Sequence, residues 1–141
     1  MSGIQKIQKD LSDDFSLLAN WEEKYEYLIE MGMDLPAMKP ENKVEKNLVK
    51  GCQSSVWFDV NCKDGNMVFE ADSDSLVVKG MVAVLYKLFN NQPAKDVLDA
   101  DLSFFEELGL CRHISSQRSN GLTAMVAHLK AKAADCLAKE D

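Results

Sequence analysis

Val56-Trp57-Phe58-Asp59-Val60-Asn61-Cys62, Lys63-Asp64-Gly65-Asn66 and Met67-Val68-Phe69-Glu70-Ala71 make up the run whose reading decides the fold. Two stretches rich in β-branched and aromatic residues flank a polar segment centred on Asp64-Gly65. That dipeptide tolerates the positive φ angles of a tight hairpin turn. The run predicts two antiparallel strands, Val56 to Cys62 and Met67 to Ala71. Upstream, Asn47 to Lys50 reads as a further short strand, which gives an expected three-stranded antiparallel sheet. Between that strand and Val56 lies Gly51-Cys52-Gln53-Ser54-Ser55, a loop tip in which Gly51 allows backbone angles that other residues resist. A side chain at such a tip is exposed to a partner, so the Cys52 thiol is the candidate working atom. The competing reading of a free cysteine is a small buried hydrophobe.

Helices are expected on both sides of the sheet. Ile4, Ile7, Leu11, Phe15 and Leu18 keep helical spacing, and Ser12-Asp13-Asp14 predicts a break that divides this stretch into two short helices. Asn20 followed by Glu23 has N-cap and N3 chemistry, after which Trp21, Tyr25, Leu28 and Ile29 share one face until Leu35-Pro36 ends the helix. A polar connection runs from Met38 to Lys46. Asp72-Ser73-Asp74-Ser75 supplies cap candidates for an apolar helix over Leu76 to Asn90, the expected core element. Pro93 suits a first helical turn, Phe104-Phe105 with Leu108-Gly109 suggests another short helix, and the last helix runs from about Asn120 to Leu137.

Composition bounds what such a chain does. At 141 residues, 15.8 kDa and 46% hydrophobic content, it reads as one compact domain over residues 1–141. A chain of this size buries roughly two thirds of its unfolded surface, so it needs neither disulfides nor a structural metal to fold. A formal net charge of -7 argues against a phosphate backbone or an anionic membrane as partner. Met1 to Lys6 has no apolar signal region, and no stretch approaches the roughly 20 apolar residues of a membrane helix. A cytoplasmic, soluble protein is expected, with no nucleic acid and no membrane among its partners.

The 4 cysteines, at 52, 62, 111 and 136, include no Cys-x-x-Cys pair, so neither a zinc knuckle nor a thioredoxin-type redox pair is indicated. In a reducing compartment all are expected as thiols. Cys62, at a strand end, and Cys136, in an alanine-rich helical run, read as structural or incidental. Cys111 lies beside Arg112 and His113 in a loop. His113 and His128 have no ligand set around them, and no metal site is expected.

Three segments together resemble one family. Gly51-Cys52-Gln53-Ser54-Ser55-Val56-Trp57 matches the Gly-Cys-Gln-Ser-x-Val-Trp hallmark of SufE and its CsdE-type relatives. Asn20-Trp21-Glu22-Glu23-Lys24-Tyr25, with Gly32 and Leu35-Pro36, looks like the family's first-helix signature. Asp72-Ser73-Asp74 leading to Val78-Lys79-Gly80 follows, and Ser116-Gln117-Arg118-Ser119-Asn120-Gly121-Leu122 is similar to its Ser-x-Arg-Ser-x-Gly-Leu element. The resemblance covers most of the chain and is weakest over the first dozen residues, Pro40 to Asn47 and the tail after Lys132. Gln53-Ser54 favours the SufE branch, whereas Phe105 to Leu110 looks more like CsdE.

The resemblance implies an α+β fold of the SufE/IscU-like kind, a three-stranded antiparallel sheet packed against helices. It also implies a persulfide carrier that accepts sulfur on Cys52 from a pyridoxal-phosphate cysteine desulfurase of the SufS or CsdA type. Such a carrier stimulates the desulfurase and passes sulfur to a downstream iron-sulfur scaffold, as a partner and activator and not as a stand-alone enzyme, with no cofactor of its own. Homodimers are implied as a possibility. Gly51, Gln53 and Ser54 would support the loop, with amides able to donate to a thiolate or placed there simply by the turn. Arg118 would contact the partner or hold the loop. Asp74 is most simply a helix cap, with contact near the Cys52 loop as the alternative. Two other functions remain open. An IscU-like scaffold would need Cys62 and Cys111 brought to Cys52, and a plain interaction module would leave Cys52 no more reactive than the other thiols.

Overall fold

The computed structural model describes residues 3–50, 55–100 and 116–140, with the side chains of 116–121, 139 and 140 left out. The hairpin is present as read. Strands β1 (Val56–Lys63) and β2 (Asn66–Ser73) pair antiparallel in a register that sets Phe58 against Ala71, Val60 against Phe69 and Cys62 against Met67. Asp64 and Gly65 both take positive φ, 54° and 84°, the conformation that makes a two-residue turn match the strand twist. Period-two alternation puts Val56, Phe58, Val60 and Cys62 on one face, opposite Met67, Phe69, Ala71 and Ser73. On this face Phe58 and Phe69 meet edge-on at 5.6 Å, and Phe69 meets Tyr86 at 5.5 Å.

The third strand is not the expected one. Asn47 to Lys50 makes a single antiparallel bridge, Leu48 to Trp57, because the chain before it is curled into a 3-10 turn over Glu45–Asn47. Instead β3 (Gln92–Pro93) pairs with Asn66 and Met67 on the other side of β2. Asn91 turns the chain with φ of 61° and donates its amide to the Met67 carbonyl at 2.6 Å. Proline donates no ladder hydrogen bond, which suits a very short edge strand.

Helix α1 (Gly3–Ser16) is one continuous helix, not two. Ile4, Leu11 and Phe15 are buried along it, and that burial carries the helix through Ser12-Asp13-Asp14. Helix α2 (Trp21–Met33) begins as expected, with the Glu23 amide donating to Asn20 Oδ1 at 3.0 Å. The Glu23 carboxylate reaches back to the Ala19 amide at 3.0 Å, one residue before the cap. Helix α3 (Leu76–Phe89) is the core, with Gly80 to Leu85, Leu88 and Phe89 all buried. It touches α2 so closely that a Cβ on Gly32 would lie 3.0 Å from the Gly80 amide, and one on Gly80 would collide with the Leu28 carbonyl.

Helix α4 (Ala94–Asp99) packs on the long last helix, α5 (Ser116–Glu140). Lys130 of α5 donates to the Leu98 and Ala100 carbonyls at 2.9 and 2.8 Å, satisfying acceptors at the end of α4. The last helix starts four residues before the expected Asn120, so Ser116 to Ser119 form its opening turn. Serine and asparagine favour loops but are equally the residues that start helices. Leu122, Met125, Val126, Leu129, Ala133 and Cys136 are buried along α5. The expected helix around Phe104 to Gly109 lies outside the described residues. Among the described residues no helix is long and apolar enough to cross a membrane.

Candidate functional site

Gly51, Cys52, Gln53 and Ser54 lie outside the described residues; the structure defines the two ends from which they spring. On the incoming side, the Val49 amide donates to the Val56 carbonyl at 2.9 Å, and Leu48 bridges Trp57. On the outgoing side, Ser55 is held at both of its backbone groups. Its amide donates to Asp74 Oδ1 at 3.1 Å, while its carbonyl accepts from the Ser73 hydroxyl at 2.8 Å and the Asp74 amide at 3.2 Å. These bonds arise because β2 runs on to Ser73 before turning into α3, which places Ser73 and Asp74 beside the first residues of β1.

Asp74 is therefore not the cap of α3. Ser75 occupies the N-cap position without a side-chain cap bond, and its amide donates to Ser73 Oγ at 3.3 Å. The carboxylate of Asp74 is left to grip Ser55. Arg118 falls in the first turn of α5, and its side chain lies outside the described residues, as do Cys111 and His113.

Beneath this stem, the opposite face of the hairpin carries a charge cluster that sequence reading passed over. Asp72, cross-strand from Trp57, accepts from Lys43 at 2.6 Å and from Lys79 at 3.3 Å. Burial pushes the Asp72 carboxyl up, but the bonds from Lys43 and the Ser73 amide, with the charge of Lys79, outweigh it and hold the pKa below its ordinary 3.8. Asn42 donates to Glu70 at 2.7 Å, and Asn47 donates to the Asn42 carbonyl at 2.7 Å. The connection leading to Lys50 is thus tied to β2 at Glu70 and Asp72. The available signal was the alternation of Glu70 and Asp72 on the outward face of β2, opposite a segment rich in lysine and asparagine.

A cavity of about 790 Å³ opens beside the stem, lined by Glu45, Lys46, Leu48, Val49, Lys50, Ala124, Ala127 and His128. Lys46 and Lys50 against Glu45 give it a net positive lining. His128 forms part of the wall, its ring stacked on Phe58 at 6.0 Å. Its Nε2 is buried without a hydrogen-bond partner. Burial, and secondarily the charge of Lys132, holds its pKa below the ordinary 6.5, so it is a neutral wall residue at pH 7.

Two of the cysteines expected as separate thiols are paired. Cys62 and Cys136 bring their sulfurs to bonding distance, with Cα atoms 5.7 Å apart across a sequence separation of 74. Cys62 stands at the far end of β1, roughly 20 Å from the Ser55 stem at about 3.3 Å per residue. Paired with Cys136 and distant from the Ser55 stem, it is not a free ligand there, where the scaffold reading required one.

Residues 9–133 match the SufE family model, described as an Fe-S metabolism associated domain. The chain is 38% identical to an uncharacterised SufE-like protein of Rhizobium meliloti (strain 1021), over 86% of this chain and 90% of that relative. In fold it is similar to the solution structure of a hypothetical protein from Thermus thermophilus. The TM-score is 0.79 at 21% identity, covering 94% of this chain and 96% of that one.

Proposed function

Since the chain belongs to the SufE family, an Fe-S metabolism associated domain, we propose that Cys52 carries sulfane sulfur between a pyridoxal-phosphate cysteine desulfurase and a downstream iron-sulfur scaffold. The observation that supports this most is the stem: both backbone groups of Ser55 and the amide of Val49 are fixed, so the segment that carries Cys52 is joined to rigid ends. Fixed ends limit the conformations the loop must give up when it docks on a partner.

In the transfer step the Cys52 thiolate attacks the outer sulfur of a cysteine persulfide on the desulfurase. A new S–S bond forms at Cys52, the old one breaks, and the donor cysteine departs as a thiolate while the proton stays on the transferred sulfur. The exchange is redox-neutral and follows thiol–disulfide logic, in which access and thiolate fraction set the rate. Lys46 and Lys50 line the cavity beside Val49, and positive charge next to a thiol favours its thiolate. Drawing sulfur off the desulfurase frees it for the next turnover, the physical basis for stimulation. Asp74 positions the loop, and Arg118 contacts the partner.

The test is to combine the protein with its host's desulfurase and L-cysteine and to map added sulfur by mass spectrometry. One sulfur on the Cys52 peptide, absent from Cys52→Ser and accompanied by faster cysteine turnover, is expected. Sulfur on no cysteine, or spread evenly over all, overturns the proposal.

A further inference from the structure

Away from the Cys52 stem, the molecule brings two other thiol groups together. Alternation along β1 puts Cys62 on the face occupied by Val56, Phe58 and Val60, the face on which α5 lies. At the hairpin end of that face the last turns of α5 present Cys136. A Cα separation of 5.7 Å sits at the centre of the range that a disulfide spans without backbone movement. The two residues differ in access: Cys62 is exposed, whereas Cys136 is fully buried. Neither takes part in the transfer chemistry assigned to Cys52.

We propose that Cys62 and Cys136 form a redox-active pair which closes to an intramolecular disulfide when the surrounding thiol pool is oxidised, stapling the end of α5 to the hairpin. With a low-molecular-weight disulfide such as glutathione disulfide as oxidant, the exposed Cys62 thiolate attacks one of its sulfurs and displaces one thiolate. The Cys136 thiolate then attacks the Cys62 sulfur of the mixed disulfide and expels the second. Two protein thiols lose two electrons, the small disulfide gains them, and the two protons pass to the departing thiolates. The division of access fits this order, since an attacker from solvent reaches Cys62 while the resolving thiol waits in contact beneath it. Because the link spans 74 positions, it closes a long loop and so restricts the unfolded chain. The chain-entropy relation for a loop of this length corresponds to a rise in Tm on the order of 10 °C.

The test uses the full chain, equilibrated in mixtures of glutathione and glutathione disulfide, acid-quenched, alkylated and digested for mass spectrometry, with thermal melts of the same samples. A Cys62–Cys136 peptide in monomeric protein is expected. It should grow with the glutathione disulfide fraction, vanish with dithiothreitol and persist in Cys52→Ser. Cys62→Ala, at an exposed position that leaves Cys136 buried, should melt cooperatively, yield no linked peptide and lose the Tm difference between oxidised and reduced samples. The proposal is overturned if full oxidation leaves Cys62 only as a glutathione adduct, with Cys136 alkylated as a thiol after denaturation. Links between two copies through Cys62, or a Tm unchanged by formation of the linked peptide, overturn it equally.

Discussion

The two ends of β1 hold a cysteine each in opposite ways. At the Ser55 end, hydrogen bonds with Ser73 and Asp74 fix the backbone from which the chain leads back towards Cys52. At the Lys63 end, a two-residue turn closes the strand and Cys62 is matched to a sulfur on α5. One end restrains main chain around a thiol; the other restrains the thiol itself. The first arrangement is the one the proposed carrier role requires at the site of exchange, and the second would, when closed, withdraw Cys62 as a competing nucleophile.

The sharpest way to break this contrast is at Asp74. Asp74→Ala removes the carboxylate that receives the Ser55 amide. Sulfur loading of Cys52 should slow by about tenfold while stability falls by only about 1 kcal/mol, since the bond is solvent-exposed. Asp74→Asn keeps an acceptor and should recover most of the rate. Stopped-flow loading assays with parallel urea melts check this, and an equal loss in both variants would show that the grip on Ser55 is irrelevant. Ser73→Ala is the milder cut. It deletes one donor to the Ser55 carbonyl and one acceptor for the Ser75 amide, but the Asp74 amide still serves Ser55. A loss of about 1 kcal/mol is expected with a two- to threefold slower loading.

Acidification separates groups near the stem by pH window and is the smallest effect. His128 has a folded pKa below 6.5, so the unfolded chain binds the extra proton first. Stability is undiminished above that pH and falls as the pH drops from 6.5 towards the lowered value. In His128→Phe that portion of the slope should disappear from melts taken between pH 7 and 5. Asp72 acts in a lower window: its ion pairs contribute fully above 3.8 and are lost as the pH falls through its depressed folded value. Asp72→Asn should flatten the melts only below pH 4, and a slope there equal to that of the parent would refute the assignment.

What the sequence made legible was whatever depends on neighbours along the chain. Asp64-Gly65 dictates its own turn, Asn20 and Glu23 cap their own helix, and the alternation of β1 fixes which side Cys62 faces. The third strand was misplaced because Gln92-Pro93 carries almost no strand signal of its own and joins the sheet only after α3 returns the chain to β2. Asp74 precedes a helix and so reads as a cap, yet the carboxylate is taken by Ser55, 19 positions earlier. Likewise, nothing local to Cys136 says which strand its turn of α5 will cross. The hallmark around Cys52 carried the functional reading, and the stem that frames it became visible only in three dimensions.

Gly80 sits where two helices meet with no side chain between them: a methyl group there would strike the Leu28 carbonyl. Leu17, by contrast, is 83% exposed. In the language of descent, this packing admits only the smallest residue at position 80, while position 17 is open to drift. Variation in the chain is thus channelled away from its helical crossing and towards its rim, and two relatives can diverge widely in composition without changing the angle at which α2 lies on α3.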